Sequence, residues 1–282
     1  MPLWRGHGAV RKSGGMTIDP RSEQFDPRLA LAQVTEDTGL LIRQAEALDD
    51  EAVREPSLLT GWTRGHVLTH TARNADALGN LLVWAETGER HDMYASREQR
   101  NAGIEAGAGR TAAQLAADLQ EASQRFIEAA TRLSPDRWAA QVEMRPGGRA
   151  RPARFILWWR YQEVLIHHVD LDAGFSPAHW PAEFTGPQLE FVAEQMSDAA
   201  QNGTGAAVAN GAGTGTEQGA GFRLHAEDTD RRVGVQCDPG DEAKPLVRGA
   251  EPGLLAWLIG RSAGDGLTVE PAGPLPTPPV WL

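Results

Sequence analysis

The sequence has a single cysteine, Cys237, among 282 residues. That excludes an intramolecular disulfide framework and any all-thiolate zinc or iron–sulfur cage within one chain. Positive charge is scarce: 27 Lys+Arg stand against 38 Asp+Glu, a formal net charge of −11, and only Lys12 and Lys244 are lysines. So acidic a balance argues against broad nucleic-acid or anionic-membrane binding, which needs a basic surface. No stretch approaches the roughly 20 apolar residues of a membrane span. The first 15 residues carry Arg5, Arg11 and Lys12 but no apolar core of a secretory signal. They read as a leader, with Met16 a second candidate start. The expectation is a cytoplasmic protein with neither nucleic acid nor membrane as partner. What is present suffices for a folded core: 41% of residues are apolar and 23% charged, in a chain long enough for one or two domains.

Four segments carry apolar residues at helical spacing. Asp26 followed by Pro27 reads as an N-cap with proline in the first turn, ahead of a helix over 29–48 with Val34, Leu41 and Ala45 inward. Thr63 caps a second helix reaching about Glu86, where Val67, His70, Asn74, Ala77, Leu78 and Leu81 share one side and Gly88 ends the run. Residues 93–109 read as a polar, glycine-containing connection. Thr111 caps a third helix with Leu115, Leu119, Ala122 and Phe126 as its stripe. A turn at Arg145 to Arg149 precedes a fourth helix, from near Pro152 to Asp172, stopped by Gly174. Four sequential helices of this length predict a four-helix bundle.

The composition changes after Trp180 and Pro181. Residues 201–221 are Gly-rich and read as a linker or long loop. Beyond it, Phe222 to Glu227 and Arg232 to Cys237 alternate by period two around a turn at Asp228 to Asp230, which predicts a β-hairpin. Leu246 to Arg248 is a further candidate strand and Glu251 to Arg261 a short helix. The expected fold class is α+β: a leader over 1–24, a helical bundle over 25–182, and a small α+β domain over 183–282.

The chemistry lies on the second and fourth helices. Glu163 and His167 are four apart, so they share one helix face a turn from each other; His66 and His70 have the same spacing. Helix bundles build metal sites from inward carboxylates and imidazoles, and two histidines plus a glutamate is a known catalytic zinc set with a position left open. One histidine of the second helix with Glu163 and His167 supplies three ligands. His168 follows His167 directly and points about 100° away from it. Glu163 sits among Leu157, Trp158, Trp159, Val164, Leu165, Ile166 and Val169. A carboxylate on so apolar a helix is costly unless paired or metal-bound.

The second-helix segment Leu59-Thr-Gly-Trp62-Thr-Arg-Gly-His-Val-Leu-Thr-His70-Thr-Ala-Arg73-Asn-Ala-Asp76-Ala-Leu resembles the signature of the mycothiol-dependent maleylpyruvate isomerase family, within the DinB-like metal-binding bundles. Glu163 to Leu171, followed by Phe175-Ser-Pro-Ala-His-Trp180-Pro, resembles that family's second block. Leu254-Leu-Ala-Trp257-Leu-Ile-Gly-Arg261 resembles its third, in a sterol-carrier-like C-terminal domain. The resemblance covers most of residues 25–282, although the Gly-rich stretch 201–221 has no counterpart in it.

The resemblance implies zinc held by His70, Glu163 and His167, with His66 left at the helix surface or behind the ligands. It implies a catalytic arginine at Arg261. Arg73 and Asn74, one turn beyond His70, are the candidates for binding the thiol. The implied partners are mycothiol and a small electrophilic or dicarboxylate substrate. The implied reaction is a cis–trans isomerisation: thiolate adds to an activated double bond, the resulting single bond rotates, and elimination regenerates the thiol. Two alternatives follow from the same residues. One is a mycothiol S-transferase that stops at addition. The other is a non-enzymatic binding protein with a closed, structural metal, in which His66 joins the other three ligands.

Overall fold

The computed structural model describes residues 17–201, 221–279 and 281. Residues 1–16 of the expected leader and 202–220 of the Gly-rich stretch lie outside them. From Thr17 the chain is already folded, although a leader is expected through residue 24: Thr17 bridges to Phe25, Ile18 is buried, and Asp19 pairs with Arg21. Two compact units follow, divided between Phe175 and Ser176. Residues 176–182, expected with the bundle, thus belong to the C-terminal unit.

In the first unit, Asp26 caps helix α1 (Pro27–Glu46) by accepting from the amides of Arg28 and Leu29. Helix α2 (Arg64–Thr87) opens on a capping box in which Thr63 accepts from the His66 amide and the His66 ring accepts from the Thr63 amide; Gly88 closes it at φ 76°. Helix α3 (Arg97–Ala108) fills the segment expected to be a connection. Only Ile104, Gly107 and Ala108 of α3 are buried, too few to impose a helical period on the sequence. Its start is local: the Ser96 hydroxyl accepts from the Gln99 amide. Helix α4 (Ala112–Arg132) carries a second capping box, Thr111 with Gln114. A two-residue ribbon, β1 (Gln141–Val142) with β2 (Arg151–Pro152), frames the Arg145 to Arg149 turn before helix α5 (Arg154–Asp170).

Helices α1, α2, α4 and α5 pack as the bundle: α2 and α5 each contact α1 or α4 on one side and each other on the next. Leu41, Leu68, Leu78, Leu81, Leu115, Leu119, Phe126 and Tyr161 are fully buried between them. Helix α3 lies against α2 at very close range. A Cβ on Gly65 would sit 2.4 Å from the Ala108 carbonyl oxygen, and one on Gly107 would sit 2.4 Å from Thr69. Glycine at both positions lets the two backbones approach. The start of α2 is also tied to the end of α5. Arg64 donates to the carbonyls of Leu171 at 2.7 Å and Asp172 at 2.8 Å, and the Leu58 amide donates to the Asp170 carbonyl at 2.9 Å.

The C-terminal unit contains helix α6 (Ala182–Gln201), which the sequence patterns do not announce, and a four-stranded sheet. Strand β3 (Phe222–Ala226) pairs antiparallel with β4 (Arg231–Val235) and parallel with β5 (Leu246–Gly249). Strand β6 (Thr268–Glu270) completes the order β4-β3-β5-β6. Helix α7 (Glu251–Leu258) packs on β3 and β5, with Trp257 against Phe222 at 5.4 Å between ring centroids. Glu251 is buried but satisfied: it accepts from Thr185, Thr229 and Arg231, tying α6, the hairpin turn and β4 to α7. Helical bundle and small α+β unit are the expected fold class. No described helix is long and apolar enough to cross a membrane.

Candidate metal centre

Glu163 and His167 leave α5 one turn apart and meet His70 from the facing α2. Glu163 Oε2 lies 3.1 Å from His70 Nε2 and 3.2 Å from His167 Nε2. The two imidazoles stand nearly perpendicular, at 87°, with centroids 4.7 Å apart. One ligand atom from each residue lies within 4.8 Å of the other two. Behind His167, its Nδ1 donates to Asp170 Oδ2 at 2.8 Å, and Asp170 is wholly buried. A carboxylate can only accept, so Asp170 keeps a proton on Nδ1 and leaves Nε2 as the ligand atom. On the other side, Trp62 meets His70 edge-on at 5.5 Å, and Arg100 of α3 reaches to 3.4 Å from His70 Nδ1.

The electrostatics divide the two histidines. Burial lowers His70 from 6.5 to about 4, with the Glu163 bond only partly opposing it, so this ring is neutral at pH 7. Burial also disfavours charge on His167. There the hydrogen bonds to Asp170 and then Glu163 outweigh it and push the ring up to about 9. Glu163 is buried too, yet its bonds to His167 and His70 hold it well below the usual carboxylate range. Two borderline nitrogen donors and one ionised carboxylate, oriented by a buried acid, fit a divalent cation such as zinc and leave room for further ligands.

The other candidate residues fall elsewhere. His66 serves the capping box and turns its Nε2 towards Glu105 on α3 at 3.4 Å, so it does not join the three ligands. Arg73 is held in ion pairs with Asp118 of α4 and Asp76. Asn74 is buried, its Oδ1 accepting from Arg160 at 3.3 Å. Arg261 follows α7 in the C-terminal unit, its guanidinium donating to the Ile259 carbonyl at 2.8 Å. Cys237 lies beyond β4 and donates to the Phe222 carbonyl; burial pushes its thiol up, away from nucleophile character.

Three residues near the centre escape the sequence reading. Arg160 is buried on α5, three residues before Glu163 and so on the same helix face. It donates to the Thr71 carbonyl, Asn74 and Ser123, and burial lowers its guanidinium to about 10. Its helical spacing from Glu163 was the available signal. Arg100 and Tyr94 come from the segment read as a connection, where no periodicity marks them.

Residues 34–172 match the family described as mycothiol maleylpyruvate isomerase N-terminal domain. The chain is similar to the crystal structure of a mycothiol-dependent maleylpyruvate isomerase, with 30% sequence identity and a TM-score of 0.78, over 94% of this chain and 100% of that one. It is equally similar in sequence to a histidine-to-alanine variant of such an enzyme, at 30% identity, a TM-score of 0.77 and the same coverage. No curated protein sequence matches the chain.

Proposed function

The chain belongs to the mycothiol-dependent maleylpyruvate isomerase family, an enzyme family, and on that basis we propose that it is itself a zinc- and mycothiol-dependent cis–trans isomerase of maleylpyruvate. The observation that carries this is the cluster of His70, Glu163 and His167 with Asp170 behind it, in a chain alignable over 94% of its length with an enzyme of that activity. Zinc, when bound, supplies the positive charge that favours thiolate over thiol at neutral pH.

The protein's own groups do the rest. Asp170 holds the His167 proton on Nδ1, so that Nε2 faces inward. Glu163 contributes a charge that its neighbours keep ionised. Trp62 packs edge-on against the His70 ring and limits its movement. Arg261 is the proposed partner of a substrate carboxylate, where a guanidinium can pair bidentately. The thiolate sulfur bonds to one carbon of the activated double bond, and the π electrons move to the conjugated ketone oxygen. The former double bond rotates, the electrons return, and the thiolate leaves with fumarylpyruvate formed. The reaction is placed in the cytoplasm, where small thiols stay reduced.

The test is ultraviolet absorbance of maleylpyruvate incubated with the protein, zinc and mycothiol. Isomerisation that needs all three is the expected result. Thiol consumption on an electrophile without isomerisation makes the chain an S-transferase and refutes the proposal.

A further inference from the structure

Arg100 stands on the inward face of α3. Ile104, Gly107 and Ala108, four, seven and eight residues further on, are the buried residues of that helix, which packs on α2. The same spacing turns Arg100 inward, and its guanidinium reaches 3.4 Å from His70 Nδ1. Its other contacts are the Asn101 side chain at 3.0 Å and the Tyr94 phenol. None of these three groups is negative at neutral pH. Arg73, Arg110 and Arg125, elsewhere on the bundle, are each paired with Asp76 or Asp118. Among the described residues no carboxylate pairs with Arg100. A half-buried cation without a counter-ion, beside a metal centre, is a place for an anion.

The His70 contact is also one that loading of the centre removes. A guanidinium only donates, so Nδ1 accepts and the single proton of the neutral ring sits on Nε2, directed at Glu163. Once Nε2 is given to a cation, that proton belongs on Nδ1, and donor then faces donor. The ring is neutral in both arrangements. Loading thus frees an Arg100 N–H, one imidazole ring away from the ligand atom.

We propose that Arg100 is a further substrate-binding residue, which receives the carboxylate attached to the activated double bond. The assignment rests on the isomerase reading above. In that reaction sulfur adds β to the ketone, to the carbon that bears this carboxylate, so the carboxylate lies close to the centre. The carboxylate of the 2-oxo acid is at the far end of the substrate, and Arg261 answers only one of the two. A fork of N–H donors meets a carboxylate edge-on with two parallel bonds and offsets its repulsion of the incoming thiolate.

The test compares Arg100→Met, which keeps the length of the side chain, with wild type. KM for maleylpyruvate rises about tenfold to a hundredfold, the effect of losing a hydrogen bond between charged groups. The kcat changes little, because the pair is present in ground and transition states alike. Arg100→Lys keeps the charge without the fork and recovers part of the loss. Two readouts need no turnover. The first is calorimetry with trans-4-oxo-2-pentenoate, the enone half of the product with its carboxylate, in the absence of mycothiol. It binds zinc-loaded Arg100→Met about tenfold more weakly than zinc-loaded wild type. The second is zinc affinity by chelator competition, which moves the opposite way. It strengthens about tenfold in Arg100→Met, since a like charge and an opposed donor are gone. An arginine that only holds the fold would weaken both. An unchanged KM, equal probe affinities or a zinc affinity that falls in the variant each overturn the assignment alone. If wild type does not isomerise maleylpyruvate but binds the probe through Arg100, the isomerase reading fails and the anion site stands; if it does neither, both fall.

Discussion

Replacing Asp170 by asparagine tests the electrostatic logic of the centre. Asp170 is wholly buried and its Oδ2 lies 2.8 Å from His167 Nδ1. Its bond leads those that raise His167 from 6.5 to about 9, a preference for the charged ring on the order of 3 kcal/mol. Asparagine keeps an acceptor but loses the charge, which gives up about half of that preference, and metal affinity weakens for the same reason by roughly tenfold to a hundredfold. The proton, however, competes with the metal for Nε2. In wild type at pH 7 that competition weakens apparent affinity about a hundredfold for a ring titrating near 9. In D170N the competition is much smaller, so the two effects largely cancel at pH 7. Above pH 9 only the lost charge remains. Zinc affinities measured by chelator competition therefore converge at pH 7 and diverge by about tenfold or more at pH 9. A constant ratio of the two affinities across that range would refute the reasoning.

Other outcomes follow from the same geometry. His70→Ala and Glu163→Ala each lose stoichiometric zinc by elemental analysis; retention in both overturns the ligand assignment. Zinc uptake at pH 7 releases about one proton, from His167, because His70 is already neutral and Glu163 already ionised; calorimetry in buffers of different ionisation enthalpy measures it. In metal-free protein the raised His167 contributes stability that is fully present below pH 6.5 and lost as pH rises through about 9, so the melting temperature drops across that window and zinc abolishes the drop. Gly65→Ala drives a Cβ to 2.4 Å from the Ala108 carbonyl oxygen, and chemical denaturation shows a loss of about 1–3 kcal/mol.

What the sequence reveals here tracks how local each cause is. Asp26, Thr63 and Thr111 cap their helices through bonds spanning two or three residues, so those starts are readable. The spacing of Glu163 and His167 places them on one face, and the match around His70 supplies the third candidate ligand. Helix α3 is hidden because only one face touches the bundle, and it does so through Gly107 and Ala108 rather than a stripe of large apolar residues. With α3 go Arg100 and Tyr94. Asp170 is visible as an acidic residue three places after His167, but nothing in the sequence tells a buried carboxylate from one solvating a helix end. Arg73 and Asn74 stand one turn past His70, and their partners Asp118 and Arg160, distant in sequence, are not legible from that position.

The ties between Arg64 and the carbonyls of Leu171 and Asp172, and between Leu58 and Asp170, join the start of α2 to the end of α5, beside the three candidate ligands. Helix ends ordinarily fray first, and ligands placed there would share that looseness. Here one fraying end is anchored on the other, so neither can peel away while its neighbour stays folded. Backbone amides around His70 and His167 should consequently exchange their hydrogens only through global unfolding, which makes the centre part of the slowest-opening unit of the bundle.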